Sequence, residues 1–102
     1  MGSYALRALL GRGATSEVHA AEHQFLGDRV AVKLMHADLA ADSEAVEAFV
    51  AEATKTRAIR HPNVVRVLDV GRDGGSGRCY LVMERVDGEN LALRLRREGR
   101  LD

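Results

Sequence analysis

The sequence has little of what disulfide-stabilised or membrane proteins need. Its 102 residues include one cysteine, one proline and no tryptophan. The lone Cys79 excludes an internal disulfide framework and a multi-cysteine zinc site, and its expected role is that of a small buried apolar residue. No apolar run approaches the length of a membrane span, and Arg7 interrupts the opening MGSYALRALL too early for a signal peptide. We therefore expect a cytoplasmic protein and no membrane segment within this chain.

The chain also lacks an excess of either charge. Fifteen basic and fifteen acidic residues give a formal net charge of zero, so no overall field favours nucleic acid or an anionic membrane as a partner. Hydrophobic residues make up 46% of the chain, which at this length is typical of one small domain with one core. Any recognition of phosphate groups must therefore come from a local arrangement of residues.

Strand-like and helix-like segments follow one another in a clear order. Hydrophobic periodicity and turn signals predict strands at 4–10, 16–23, 29–36, 64–70 and 79–86. An alanine-rich segment between the third and fourth strands predicts an amphipathic helix with Asp42 or Ser43 as its N-cap and Pro62 after its end. Its expected buried stripe consists of Val46, Phe49, Val50 and Ala53. A short basic helix is predicted at 91–98.

The segment GRGATSEV, at 11–18, places two glycines at alternate positions, so that the backbone could approach an anion closely. It lacks the G-x-x-x-x-G-K-[ST] pattern of a Walker-type loop. A dinucleotide-binding turn requires a helix to begin at the loop, whereas SEVHAAEH is typical of a strand. The segment alone leaves an ordinary hairpin turn with two glycines as an open alternative.

Lys33 is a charged residue on a strand that should be buried. Val32 and Leu34 flank it, and an unpaired ammonium group in a protein core costs several kcal/mol. Lys33 therefore needs an acidic partner, an anionic ligand or both.

Four ordered motifs carry a resemblance to a known family. They are the glycine loop, AVK at 31–33, a helix with Glu52 followed by HPNVV, and LVMERVDGENL. Together they resemble the amino-terminal lobe of eukaryotic-like (Hanks-type) serine/threonine protein kinases, especially bacterial ones, over essentially all of residues 1–102. The resemblance implies an α+β fold with a five-stranded antiparallel sheet and one major helix, ending in a hinge at about 84–88 and a short helix.

The resemblance also implies a site for ATP. Lys33 would contact the α- and β-phosphates and pair with Glu52; the alternative for Glu52 is a solvated pair with Lys55. The lid over the phosphates would comprise Gly11, Arg12, Gly13, Ala14, Thr15 and Ser16, with Ser16 where the family usually has a third glycine. The adenine pocket and hinge would involve Leu10, Val18, Ala31, Val65, Met83, Glu84 and Val86. Plain strand packing is the alternative for Leu10, Val18 and Ala31.

The motifs of the carboxy-terminal lobe do not occur in this sequence. The family uses H-R-D-x-x-x-x-N and D-F-G to position the acceptor hydroxyl and Mg²⁺. Asp69-Val70-Gly71 imitates D-F-G but precedes the hinge, so we reject it as a metal site; no metal ligand is expected here. The complete domain would transfer the ATP γ-phosphate to Ser or Thr of a protein substrate, and the isolated chain, without its C-lobe, would be inactive. The alternative is a stand-alone, non-catalytic module that binds nucleotide or protein, as in a pseudokinase.

Overall fold

Five strands and one long helix make up the part of the chain that the structure describes. The structure is a computed structural model and describes residues 2–58 and 66–85, without the side chains at 56–58. Val65, Val86, the end of the hinge and the predicted helix at 91–98 lie outside the described residues. The observed elements are β1 (Tyr4–Arg12), β2 (Ser16–His23), β3 (Arg29–Met35), α1 (Ser43–Ala58), β4 (Val67–Arg72) and β5 (Cys79–Glu84), with a short 3₁₀ turn at Ala37–Leu39 that the sequence patterns did not predict.

The strands form one antiparallel sheet in the order β1-β2-β3-β5-β4. β3 lies at its centre, paired with β2 on one side and β5 on the other. Six of the seven β3 residues are buried, which explains why apolar residues occupy both faces of this strand. The predicted α+β fold is confirmed.

Apolar side chains pack against both faces of the sheet. One cluster contains Ala53 of α1 and therefore lies between the helix and the sheet; its buried members are Val18, Ala31, Ala53, Leu81 and Met83. The other cluster consists of Ala21, Val30, Val32 and Val82. Val30 and Val32 thus belong to one face of β3 and Ala31 to the other, as strand alternation requires.

The amino-terminal end of α1 is capped by Asp42. Its Oδ1 accepts hydrogen bonds from the backbone N–H groups of Glu44, at 3.0 Å, and Ala45, at 3.2 Å. Of the two predicted caps, Asp42 is therefore the N-cap and Ser43 is the first helical residue. This bond fixes where the helix that carries Glu52 begins.

The predicted apolar stripe of α1 is wrong at one position. Val50 is 44% exposed, whereas Ala53 is buried and Phe49 packs against the same cluster. Ala45, Ala48 and Glu52 line a cavity against the sheet, so the helix face toward the sheet is centred on Phe49 and Glu52. Val50 lies about 100° around the helix from Phe49.

Several strand ends also differ from the predicted bounds, since β3 ends at Met35 and β5 at Glu84. β1 continues to Arg12 because Gly11 pairs with Val18 and Arg12 pairs with Glu17 across the hairpin. β4 begins at Val67 and reaches Arg72. The segment 69–71 lies within this strand and pairs with β5.

Replacing the cap should destabilise the helix. Asp42→Ala removes the acceptor for two N–H groups at the start of α1, and we expect a loss of about 1 kcal/mol in the free energy of unfolding. Ser43→Ala is the matched control and should change this free energy much less. Denaturant unfolding of both variants measures the effect. A larger loss for Ser43→Ala than for Asp42→Ala would show that the cap is misassigned.

Candidate functional site

A cavity of about 240 Å³ lies between α1 and the sheet. Its walls are mostly apolar, but they carry one cationic and one anionic side chain. The lining residues are Thr15 of the glycine turn, Lys33 and Met35 of β3, Leu39, Leu81 of β5, and Ala45, Ala48, Phe49, Glu52 and Ala53 of α1. An apolar pocket with a few polar groups is the usual form of a small-molecule site.

Lys33 is a buried charged residue on the cavity wall. It is 7% exposed and sits in the central strand, paired with Val18 on β2 and Leu81 on β5. Glu52, on α1, lines the same cavity and is partly exposed. Lys33 and Glu52 each have an interaction partner. The structure therefore brings the two predicted catalytic residues to one cavity.

Four of the residues expected around adenine pack together beside Lys33. Val18, Ala31 and Met83 are each 0% exposed, and Leu10 packs against their cluster. Ala31 and Met83 face each other across the β3–β5 pair. Leu10, Val18, Ala31 and Met83 thus form a packed apolar wall next to the cavity and are not part of its lining.

The expected hinge begins at the end of β5, where Glu84 lies. Its backbone N–H donates a 2.9 Å hydrogen bond to the carbonyl of Arg66, and its Oε1 accepts a 3.3 Å bond from the Arg66 N–H. Val65 and Val86, also expected near adenine, lie outside the described residues. The structure therefore fixes the first residue of the expected hinge.

The glycine segment forms a tight turn between β1 and β2. The N–H of Gly13 donates a 2.7 Å hydrogen bond to the carbonyl of Ser16, and Ala14 and Thr15 lie exposed at the tip. Gly11 and Gly13 have no positive φ, since the described glycines that do are Gly2, Gly27 and Gly77. The backbone conformation therefore does not require glycine at 11 or 13.

Ser16 differs from the tip of the turn. It is 0% exposed, and its hydroxyl has no hydrogen-bond partner within 2–58 and 66–85. The side chain that replaces the family's third glycine is thus directed into the protein.

Glu17, directly after the turn, is the centre of a charged cluster that the sequence patterns did not reveal. Arg78 Nη2 donates a 3.1 Å hydrogen bond to its Oε1. His19 Nε2 lies 3.1 Å from Oε1, close but poorly directed for a hydrogen bond, so the firmer contact is with Arg78. Arg12 Nη2 lies 3.6 Å and His36 Nδ1 4.0 Å from Oε2. The neighbouring His19 makes the largest contribution to lowering the pKa of the Glu17 carboxyl below its ordinary value, and Arg78 also lowers it. The partial burial of Glu17 acts in the opposite direction but does not outweigh them.

The Glu17 cluster connects the glycine turn to two other parts of the lobe. His36 Nε2 lies 2.7 Å from the carbonyl oxygen of Gly13. Arg78, immediately before β5, also donates from Nε to the carbonyl of Met35 at 2.7 Å. The bonded residues are 23 to 61 positions apart in sequence, so only the pairing of the strands brings them together. The polar alternation of Glu17 and His19 on β2 was the available signal.

The lowered pKa of Glu17 predicts a pH-dependent contribution to stability. A carboxyl whose pKa is lower in the folded state stabilises the fold above its ordinary pKa of 4.5, and this contribution disappears as the pH falls through the folded-state pKa. Glu17→Gln should therefore lower the free energy of unfolding near neutral pH, and the difference from wild type should shrink below pH 4.5.

Unfolding free energies at about pH 7 and about pH 3 measure this difference. Glu22→Gln is the control on the same strand, because Glu22 makes only a 3.9 Å contact with Arg7 between side chains that are 43% and 62% exposed; such pairs contribute little. A Glu17→Gln difference that is the same at both pH values would contradict the assignment.

Comparison with known proteins places this geometry in context. The family model described as "Protein kinase domain" matches residues 4–102. Serine/threonine-protein kinase PknA of Mycobacterium tuberculosis is 43% identical over 103 residues, covering 98% of this chain and 24% of PknA. Serine/threonine-protein kinase Pkn1 of Myxococcus xanthus is 43% identical over 91 residues, covering 89% of this chain and 13% of Pkn1.

A solved structure is similar as well. The crystal structure of the Mycobacterium tuberculosis PknI kinase domain matches with a TM-score of 0.63 and 28% identity, covering 83% of this chain and 34% of that one. The chain spans about a quarter or less of the length of the curated relatives named above. Within the described part of the chain, no helix is long and apolar enough to cross a membrane.

Proposed function

The chain belongs to the protein kinase domain family, and we propose that it is the ATP-binding lobe of a protein serine/threonine kinase. The complete domain transfers the γ-phosphate of ATP to a serine or threonine hydroxyl of a protein substrate. The observation that carries this proposal is the buried Lys33 on the wall of a cavity that Glu52 also lines.

A contribution to fold stability does not explain why a buried lysine occupies position 33. Replacing a buried ion pair with apolar residues of similar volume is often neutral or stabilising, by about 1–4 kcal/mol. A lobe with Met35 and Leu81 on the same cavity could fill this position with an apolar side chain. A charge held here suits an anionic ligand, because a preorganised cation in a low-dielectric site binds phosphate strongly. We propose that Lys33 contacts the α- and β-phosphates of ATP and that Glu52 orients the Lys33 side chain.

The packed apolar wall beside Lys33 supports an adenine site. Val18, Ala31 and Met83 are buried in one apolar cluster with Leu10, and apolar side chains of this kind suit the flat ring of adenine. We assign the face of adenine to these residues, with Met83 at the back of the pocket. We further assign Val65 to this pocket, and the backbones of Glu84 and Val86 to the adenine edge along a hinge at about 84–88.

The glycine turn supports a role over the phosphates. Gly11 and Gly13 are not required by a positive φ, so the lack of a side chain is the property that glycine provides there. Backbone N–H groups without a nearby Cβ allow close approach of an anion. We assign the lid to Gly11, Arg12, Gly13, Ala14, Thr15 and Ser16.

The remaining machinery belongs to a second lobe. Within the described residues, no group of three or more His, Cys, Asp or Glu side chains is placed to hold a metal ion, so we expect the Mg²⁺ ligands outside them. A carboxy-terminal lobe would supply these ligands and bind the protein substrate. We further propose that the lobe works in the cytoplasm, where ATP is available and the buried thiol of Cys79 stays reduced.

The coding sequence after codon 102 separates this function from its alternative. An in-frame H-R-D-x-x-x-x-N followed by D-F-G would support a complete kinase. A stop codon directly after Asp102 would instead favour a non-catalytic module that binds nucleotide or protein, and purified residues 1–102 would then be tested for ATP binding.

Replacing the buried cation should remove activity but not the fold. In the full coding-length protein, we expect Lys33→Met to reduce phosphate transfer about 100-fold or more, because the charge on the phosphates is lost while side-chain volume is kept. Lys55→Met, at an exposed position of the same lobe, is the matched control and should retain activity. Radiolabelled phosphate transfer and thermal unfolding are measured for both; wild-type turnover by Lys33→Met would refute the role of Lys33.

A further inference from the structure

His36 binds the glycine turn at two points. Its ring Nε2 lies 2.7 Å from the carbonyl oxygen of Gly13, and its backbone N–H donates a 3.0 Å hydrogen bond to the carbonyl of Thr15. A carbonyl oxygen can only accept, so Nε2 carries the hydrogen in this contact. One residue just beyond β3 therefore holds the carbonyls on both sides of Ala14, at the tip of the turn.

The ring of His36 lies next to the Glu17 cluster. Its other nitrogen, Nδ1, lies 4.0 Å from Glu17 Oε2, and the side chain is 20% exposed. Arg78 bonds both Glu17 and the carbonyl of Met35, the residue before His36. The remaining charged groups facing Glu17 are Arg12 and His19. The backbone just before His36 is thus bonded to the β4–β5 hairpin, and the Glu17 carboxylate lies near the ring.

We propose that His36 is a positioning residue for nucleotide binding, acting through the backbone of the glycine turn. The proposal rests on the proposed function, since it assumes that this turn covers the phosphates. A turn already held in one conformation loses less conformational freedom when the nucleotide binds. Removing the Nε2 contact should therefore weaken nucleotide binding without changing the groups that carry out phosphate transfer.

Three variants of the full coding-length protein test this role. His36→Ala removes the donor to Gly13, whereas His36→Gln keeps an N–H donor on a side chain of similar reach. His23→Ala is the control: His23 Nδ1 also accepts backbone N–H bonds, from Phe25 and Leu26, but in the turn between β2 and β3. The measurements are the KM for ATP, kcat, and hydrogen exchange of the Gly13 amide without nucleotide.

The expected result is a split between binding and turnover. His36→Ala should raise the KM for ATP about 3- to 10-fold, the loss expected for one hydrogen bond, with kcat within about 2-fold of wild type. Exchange of the Gly13 amide, which is bonded to the Ser16 carbonyl, should accelerate. His36→Gln should restore both values to within about 2-fold, and His23→Ala should change neither.

Other outcomes overturn the proposal. An unchanged KM with an unchanged Gly13 exchange rate in His36→Ala would show that the contact positions nothing. A His36→Gln variant as weak as His36→Ala would refute the donor role, and a loss confined to kcat would refute the link to nucleotide binding. If wild type binds no ATP but His36→Ala still accelerates Gly13 exchange, the proposed function fails while the effect of His36 on the turn stands.

Discussion

The burial of the Lys33 charge is the constraint on which the rest of this lobe depends. Lys33 lies in the central strand, where both faces are covered by other residues. A cation there must have an anionic group within reach, and the nearby elements are the helix and the glycine turn. α1 brings the Glu52 carboxylate to the same cavity. The position of the helix against the sheet therefore affects how well the charge is accommodated, as well as how much apolar surface is buried.

A second polar system surrounds Glu17, directly after the glycine turn. Glu17 has contacts with residues of β1, β2, the segment after β3 and the segment before β5, and His36 connects this cluster to the glycine turn. Thr15 belongs to both systems, because it lines the cavity with Lys33 while its carbonyl bonds to His36. The turn is thus joined to the sheet by hydrogen bonds, whereas the residues that we propose to face adenine are held by apolar packing.

Local patterns revealed most of the fold and part of the site. Strand alternation predicted β3 and made Lys33 conspicuous, since a charge between Val32 and Leu34 needs an explanation. The Glu17 cluster was missed because it depends on strand pairing across up to 61 positions, which no local pattern contains. Val50 was misplaced because an apolar residue at helical spacing can border the buried stripe instead of joining it. Asp and Ser are both common N-caps, so the sequence could not choose between Asp42 and Ser43. The hydrogen bonds from Glu44 and Ala45 to Asp42 Oδ1 decide it.

The most direct test of the account is chemical labelling of Lys33 through its proposed ligand. The sequence contains two lysines, Lys33 and Lys55, one buried and one exposed. An ATP analogue with an electrophilic acyl phosphate, followed by peptide mass spectrometry of the full coding-length protein, reports which amine lies next to the bound phosphates. We predict acylation of Lys33 that excess ATP prevents, with Lys55 modified slowly and without protection. Modification of Lys55 alone, or of Lys33 without protection by ATP, would contradict the account.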